Sequence, residues 1–214
     1  MITTVVFAKP PVPGRCKSRL ASVIGDEPAA QLARAMLVDV IHMLRAQPDV
    51  SVVLSTTDTE ADWRWLDVPV RQQPSQPLGA RIEEAARWAL HKASMVVAVG
   101  ADAPSIRPAH VQWLREAGRS HGAAILPALD GGFVALALRT CPEGCLDDVR
   151  WSTPDACADV ISALTPHVGP VAVGDTLHDV DEVADLRWLS EEAAQRSELA
   201  ACRTWLGAYG AKWS

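Results

Sequence analysis

Residues 7–20 place Lys9, Arg15, Lys17 and Arg19 in a single stretch broken by Pro10, Pro11, Pro13 and Gly14. Prolines fix the path of such a loop, a glycine lets its backbone come close to a ligand, and the cations offer charge to a polyphosphate. The same composition also serves as a rigid connector with a solvated basic face, so the loop by itself leaves both readings open.

Three acidic or glycine-rich stretches have related chemistry. Asp102 sits in Gly100-Ala101-Asp102-Ala103-Pro104, directly after an apolar run. There it is either an oxygen ligand for Mg²⁺ or Mn²⁺ or a cap for the helix that starts near Pro108. In Asp179-Val180-Asp181, extended alternation sends both carboxylates to one side. Asp181 reads as the N-cap of the next helix, which leaves Asp179 as a candidate second metal carboxylate. Asp130-Gly131-Gly132 is either a plain hairpin turn or a clearing for an acceptor whose hydroxyls Asp130 would bind. Trp151-Ser152-Thr153 is likewise either a cap for a following helix or a wall of an acceptor pocket.

Elements that could position these groups follow from periodicity. Apolar spacing at i, i+3, i+4 and i+7 predicts a helix over 28–46, with further helices over 79–92, 108–119 and 154–164, and from 181 to 201 or beyond in two pieces. Strand-like runs occupy 3–8, 50–55, 68–71, 95–99, 123–127, 133–138 and 168–173, with a reversal of direction between 127 and 133 placed near the sheet edge. Strands alternating with helices predict an α/β fold with a mostly parallel sheet covered on both faces, read as one domain over 1–214. In such sheets ligands bind beyond the carboxyl ends of the strands, where the basic loop, Gln72 and Gln73, Asp102 and Asp179 all fall.

Composition narrows the classes. The 214 residues are 49% apolar and 21% charged, as expected for a globular chain, and the net charge of −6 argues against a general nucleic-acid binder. The five cysteines are odd in number and unevenly spaced, and Cys141-x-x-x-Cys145 lacks the second pair a zinc site needs, so they read as reduced thiols. No leader pattern or membrane-length apolar run is evident, and a cytoplasmic location is expected. The histidines lack ligand spacing, and P-loop, dinucleotide and Gly-x-Ser-x-Gly motifs are missing. Oligomeric state is left open by the sequence.

Taken in order, the 7–20 loop, Gln73 with Leu78-Gly79-Ala80-Arg81, Gly100 to Pro104, Asp130 to Phe133, Trp151 to Thr153 and Asp179 to Asp181 resemble the glycosyltransferase-like DUF2064 family over residues 5–186. The resemblance implies a three-layer α/β/α, Rossmann-like GT-A fold and a metal-dependent transferase that uses a nucleotide-diphospho-sugar and a small-molecule acceptor. It makes Lys17 and Arg19, with Arg15 or Lys9, the phosphate clamp, and Gln73 and Gly79 base-contacting positions. Asp102 and Asp179 become the ligands of Mg²⁺ or Mn²⁺, and Asp130 the candidate base near the acceptor. Ser18 replaces a usual threonine, and Ala101 and Ala103 replace small hydroxyl residues. Lys17-Ser18-Arg19-Leu20 is also similar to phospholactate guanylyltransferases and, more distantly, molybdopterin nucleotidyltransferases. Two alternatives are therefore a nucleotidyltransferase releasing pyrophosphate and a non-catalytic nucleotide-binding protein.

Overall fold

The computed structural model describes residues 1–210. A seven-stranded sheet runs through it in the order β3-β2-β1-β4-β6-β5-β7, formed by β1 (Ile2–Ala8), β2 (Val50–Thr56), β3 (Val70–Gln72), β4 (Met95–Gly100), β5 (Ala123–Pro127), β6 (Phe133–Leu138) and β7 (Ala172–Val173). β1 pairs in parallel with both β2 and β4, and its Ile-Thr-Thr-Val-Val-Phe-Ala run is buried on both faces, as an inner parallel strand must be.

The helices α1 (Ser18–Ile24), α2 (Asp26–Arg45), α3 (Leu78–Leu90), α4 (Pro108–His121), α5 (Ala156–Val168), α6 (Asp185–Gln195) and α7 (Ala200–Tyr209) cover the sheet. On one face Ile2 and Val6 of β1 pack with Leu37, Val40 and Ile41 of α2 and with Val111 and Leu114 of α4. On the other, Val5 packs with Ile82 and Ala85 of α3 and with Val160 and Leu164 of α5. Alternate residues of one strand thus serve two cores, giving the expected three-layer α/β/α arrangement. A third cluster joins α1, α2, α6 and α7 through Leu20, Leu32, Met36, Leu189 and Trp205. No described helix is long and apolar enough to cross a membrane.

Several expectations shift. The hairpin lies near the sheet edge, with only the two-residue β7 outside β5, but β6 is antiparallel to both β4 and β5 and is inserted between them. The basic loop does not wait for the long helix but runs into the short α1, too brief for apolar periodicity to reveal. α2 starts at Asp26, because Asp26 and Glu27 favour a helix N-terminus without contributing to its apolar stripe. α5 starts only at Ala156, after the turn at Pro154, and continues through Pro166 to Val168, which shortens the final strand to Ala172–Val173. Asp181 caps no helix. α6 begins at Asp185, whose carboxylate accepts the backbone N–H groups of Asp181 and Glu182 at 2.9 and 2.7 Å.

Candidate functional site

The parallel strands end on one rim. β1 delivers the 9–17 loop, β3 delivers Gln73 and β4 delivers Asp102. Because β6 runs antiparallel, its beginning lies at that same end, and this brings Asp130, Gly131 and Gly132 to the rim. The chain after β7 returns along it through an Ala128–Leu177 bridge, and the Val180 N–H donates to Asp102 O at 3.0 Å. Asp102 and Asp179 to Asp181 are thereby made neighbours by a backbone contact.

Lys17 is the centre of this rim. Its backbone lies in the left-handed region, φ 48°, as it opens α1, and its side chain is only 9% exposed. The ammonium donates to Asp102 Oδ2 at 2.9 Å, Val180 O at 2.7 Å and Asp181 Oδ1 at 3.2 Å, which accounts for all three of its protons. Burial opposes its charge, but the two carboxylates outweigh burial and hold the Lys17 pKa above its ordinary value. Burial would raise Asp102, yet Lys17 keeps it below the usual carboxylate range. Arg19 donates to the other oxygen of Asp181 at 3.2 Å and lies 3.5 Å from Glu182.

Asp179 behaves in the opposite way. Burial, together with the negative charges of Asp130 and Asp102, pushes it up to about 6. The rim therefore holds one carboxylate neutralised by lysine and another crowded by its own kind.

Two adjoining cavities open here. The first, about 280 Å³, is lined by Lys9, Lys17, Gln73, Arg81, Ala101 and Asp102 among others. Gln73 is buried and fixed, donating to Ser55 O at 2.7 Å and accepting from Arg81 Nη1 at 3.3 Å. The second, about 480 Å³, is lined by Arg19, Asp130, Gly132, Trp151, Ser152 and Thr153 among others. Phe7, Leu78 and Asp181 belong to both. The Asp130 carboxylate accepts the Gly132 N–H at 2.8 Å, which fixes the turn. Gly131, at φ 88°, sits so close to Pro154 that a Cβ would lie 2.0 Å from its carbonyl oxygen. That contact seats the 151–154 wall.

The sequence-derived candidates thus separate. Lys9, Lys17, Gln73 and Asp102 meet at the first cavity, and Arg19, Asp130, Gly132, Trp151 and Ser152 at the second. Arg15 instead reaches outward to Asp58, 3.1 Å away, and Gly14 stays exposed, its φ of 74° shaping the loop. Gly79 is buried against Leu146 O and Trp151 Nε1, at 2.9 and 3.1 Å from a would-be Cβ, so close packing by itself already requires a glycine there. Lys17 lines the first cavity with its ammonium protons shared among Asp102, Val180 and Asp181. Sequence reasoning gave no site role to Asp181 or Arg81. No local signal in the sequence distinguishes Asp181 from an ordinary helix-start aspartate or Arg81 from an ordinary helical arginine.

Comparison with known proteins places the whole chain among similar sequences and folds. A phosphoenolpyruvate guanylyltransferase of Salinispora arenicola (strain CNS-205) is 28% identical over 178 residues, 81% of each chain. A crystal structure from Desulfovibrio desulfuricans G20, provisionally named a nucleotide-diphospho-sugar transferase, matches with a TM-score of 0.85 at 25% identity over 99% of this chain and 97% of that one. A cytidylyltransferase from Leptospira borgpetersenii matches in fold, with a TM-score of 0.61 at 12% identity over 99% and 94% of the two chains. These similarities support a transferase working on a nucleotide or nucleotide sugar. Residues 29–153 match the family model described as "Uncharacterized protein conserved in bacteria (DUF2064)", and the chain belongs to that family.

Proposed function

We propose that the protein is a nucleotidyltransferase, which moves a nucleoside monophosphate from a nucleoside triphosphate onto a small acceptor bearing an anionic oxygen and releases pyrophosphate. The observation that carries this reading is the charge at the junction of the two cavities, where Lys17 joins Asp102 to Asp181 and Arg19 extends the cationic line into the second. Transfer at phosphorus to an acceptor phosphate or carboxylate needs positioning and charge, and no proton has to be removed. Inverting glycosyl transfer needs a base beside the acceptor. Asp130, the one sequence-derived candidate for it, spends one oxygen on the Gly132 turn.

In this reading the first cavity takes the nucleotide. Arg81 and the fixed Gln73 amide offer polar edges to the base, Lys9 faces the phosphates, and Arg15 exchanges Asp58 for the triphosphate tail. The second cavity takes the acceptor between the Trp151–Ser152 wall and Arg19. The acceptor oxygen attacks the α-phosphorus in line, the bond to the β-phosphate oxygen breaks, and Lys17 offsets the charge that develops.

A divalent cation fits the residues present. Asp102 and Asp179 provide hard oxygen donors, and Asp179, raised first by burial and then by the charges of Asp130 and Asp102, is a carboxylate that a nearby cation would keep ionised. Among the described residues no group of three or more His, Cys, Asp or Glu is placed to hold an ion, so phosphate oxygens and water would have to complete the shell of Mg²⁺ or Mn²⁺ around these two carboxylates. Bound there, such an ion draws charge from the phosphate oxygens.

The likeness to the Desulfovibrio structure favours a second reading, sugar transfer from a nucleotide-diphospho-sugar. Incubation with each nucleoside triphosphate, Mg²⁺ or Mn²⁺ and a panel of phosphorylated and carboxylated small acids separates the two. Acceptor-dependent pyrophosphate release is expected. Release of a nucleoside diphosphate from a sugar nucleotide, without pyrophosphate from any triphosphate, overturns the proposal in favour of sugar transfer.

A further inference from the structure

Between β6 and α5 the chain runs through an irregular segment that walls the second cavity, and within it Cys141 and Cys145 face each other with their sulfurs 3.8 Å apart. Gly144, at φ 76°, makes the turn that opposes them, and the Cys145 N–H closes it on Pro142 O at 3.4 Å. All five cysteines are buried and free, but no other two share such a contact among the described residues. Cys16 points its thiol at Val12 O, and burial pushes the thiols of Cys157 and Cys202 up.

We propose that Cys141 and Cys145 are a reversible oxidation site, forming an intrachain disulfide when the protein meets a hydroperoxide. A disulfide needs its sulfurs about 2.05 Å apart, so closure asks for less than the span of one bond from side chains already in contact. The Cys145 sulfur attacks one oxygen of the hydroperoxide, the O–O bond breaks, an alcohol or water leaves, and Cys145 becomes a sulfenic acid. The Cys141 sulfur then attacks that sulfur, the S–O bond breaks and water leaves, so that two thiols and one hydroperoxide give a disulfide, one alcohol or water, and one further water. The two thiols lie within hydrogen-bonding distance and either can donate to the other, so the same two steps run equally with the cysteines exchanged.

The turn is tied to the site. Buried Glu83 of α3 accepts the N–H groups of Gly144 at 2.9 Å and Leu146 at 2.7 Å, and Leu146 rests on Gly79 beside Trp151. Drawing the sulfurs together pulls on this anchored turn and hence on the wall that carries Trp151.

Peroxide treatment of the intact protein followed by mass spectrometry tests the assignment. A loss of about 2 Da is expected, reversed by dithiothreitol, with the link mapping to Cys141 and Cys145 and absent from Cys141→Ser and Cys145→Ser. Hydrogen exchange of the Gly144 and Leu146 amides is expected to change on oxidation. The site is overturned by a wild-type protein that only gains oxygen, or by a disulfide that maps to another pair or persists in either serine variant. Unchanged exchange at those amides in the oxidised protein overturns the link to the cavity wall. The wild-type measurement does not depend on a variant folding, and none of these readouts requires turnover, so failure here is distinct from failure of the nucleotidyltransferase reading.

Discussion

Lys17 Nζ donates to Asp102 Oδ2 at 2.9 Å across 85 positions of sequence, and in doing so ties the loop after β1 to the turn after β4. The same ammonium holds Val180 O and Asp181, so one side chain fastens three segments of the rim. Lys17 thus both lines the first cavity and fastens the segments that form it.

Lys17→Met is therefore expected to do more than weaken nucleotide binding. It strands Asp102, leaves Asp181 with Arg19 alone and leaves Val180 O without its partner, at a cost of about 1–3 kcal/mol. The lower end applies because the two carboxylate side chains are 45% and 41% exposed and regain water. Urea unfolding measures the first effect and nucleotide titration the second. A variant with wild-type stability would remove Lys17 from its structural role.

Asp102→Asn and Asp179→Asn test the cation. In wild-type protein Mn²⁺ is expected to add to the thermal shift produced by a nucleoside triphosphate, up to about 2.7 kcal/mol of stabilisation at a hundredfold excess over Kd. Either substitution should remove that added shift. If both variants keep it, the ion is held elsewhere.

The Gly131→Ala substitution places a Cβ 2.0 Å from Pro154 O on a residue at φ 88°. Overpacking against backbone costs about 1–3 kcal/mol, and the left-handed conformation adds about 1 kcal/mol for a residue with a side chain. A fall in melting temperature with disturbed resonances in the 151–154 wall is expected. Unchanged melting would show that the wall yields freely.

Acid sensitivity is expected from His110. Its Nδ1 accepts the Arg107 N–H at 3.1 Å at the start of α4. Burial pushes its pKa down, aided by Arg107 and Arg196 and opposed by Asp175. The folded state thus binds a proton less readily than the unfolded one. The contribution is complete above the ordinary histidine value of about 6.5 and is lost as pH falls below it towards the folded-state value. Urea unfolding at pH 8 and pH 5 should show a steeper loss for wild type than for His110→Gln, and equal losses would dismiss this residue.

The layers, and the rim of the sheet on which the candidate residues gather, were legible in the sequence alone. Apolar runs and the 3.6-residue period are local properties, and they located β5 at 123–127 and β6 at 133–138 with their observed bounds and placed the long helices within a few residues. The sequence also located the loop and turns that reach the rim, because the carboxyl end of each parallel strand follows from strand order in the chain. What only the tertiary structure decided is who meets whom. Asp181 reads locally as a helix cap, yet it turns to Lys17 and Arg19 because Asp185 already satisfies the nearby N–H groups. Gly79 reads as a ligand position, yet the Leu146 segment packs onto it. Pairings of this kind arise from charge and close contact across long separations in sequence, and local spacing carries no information about them.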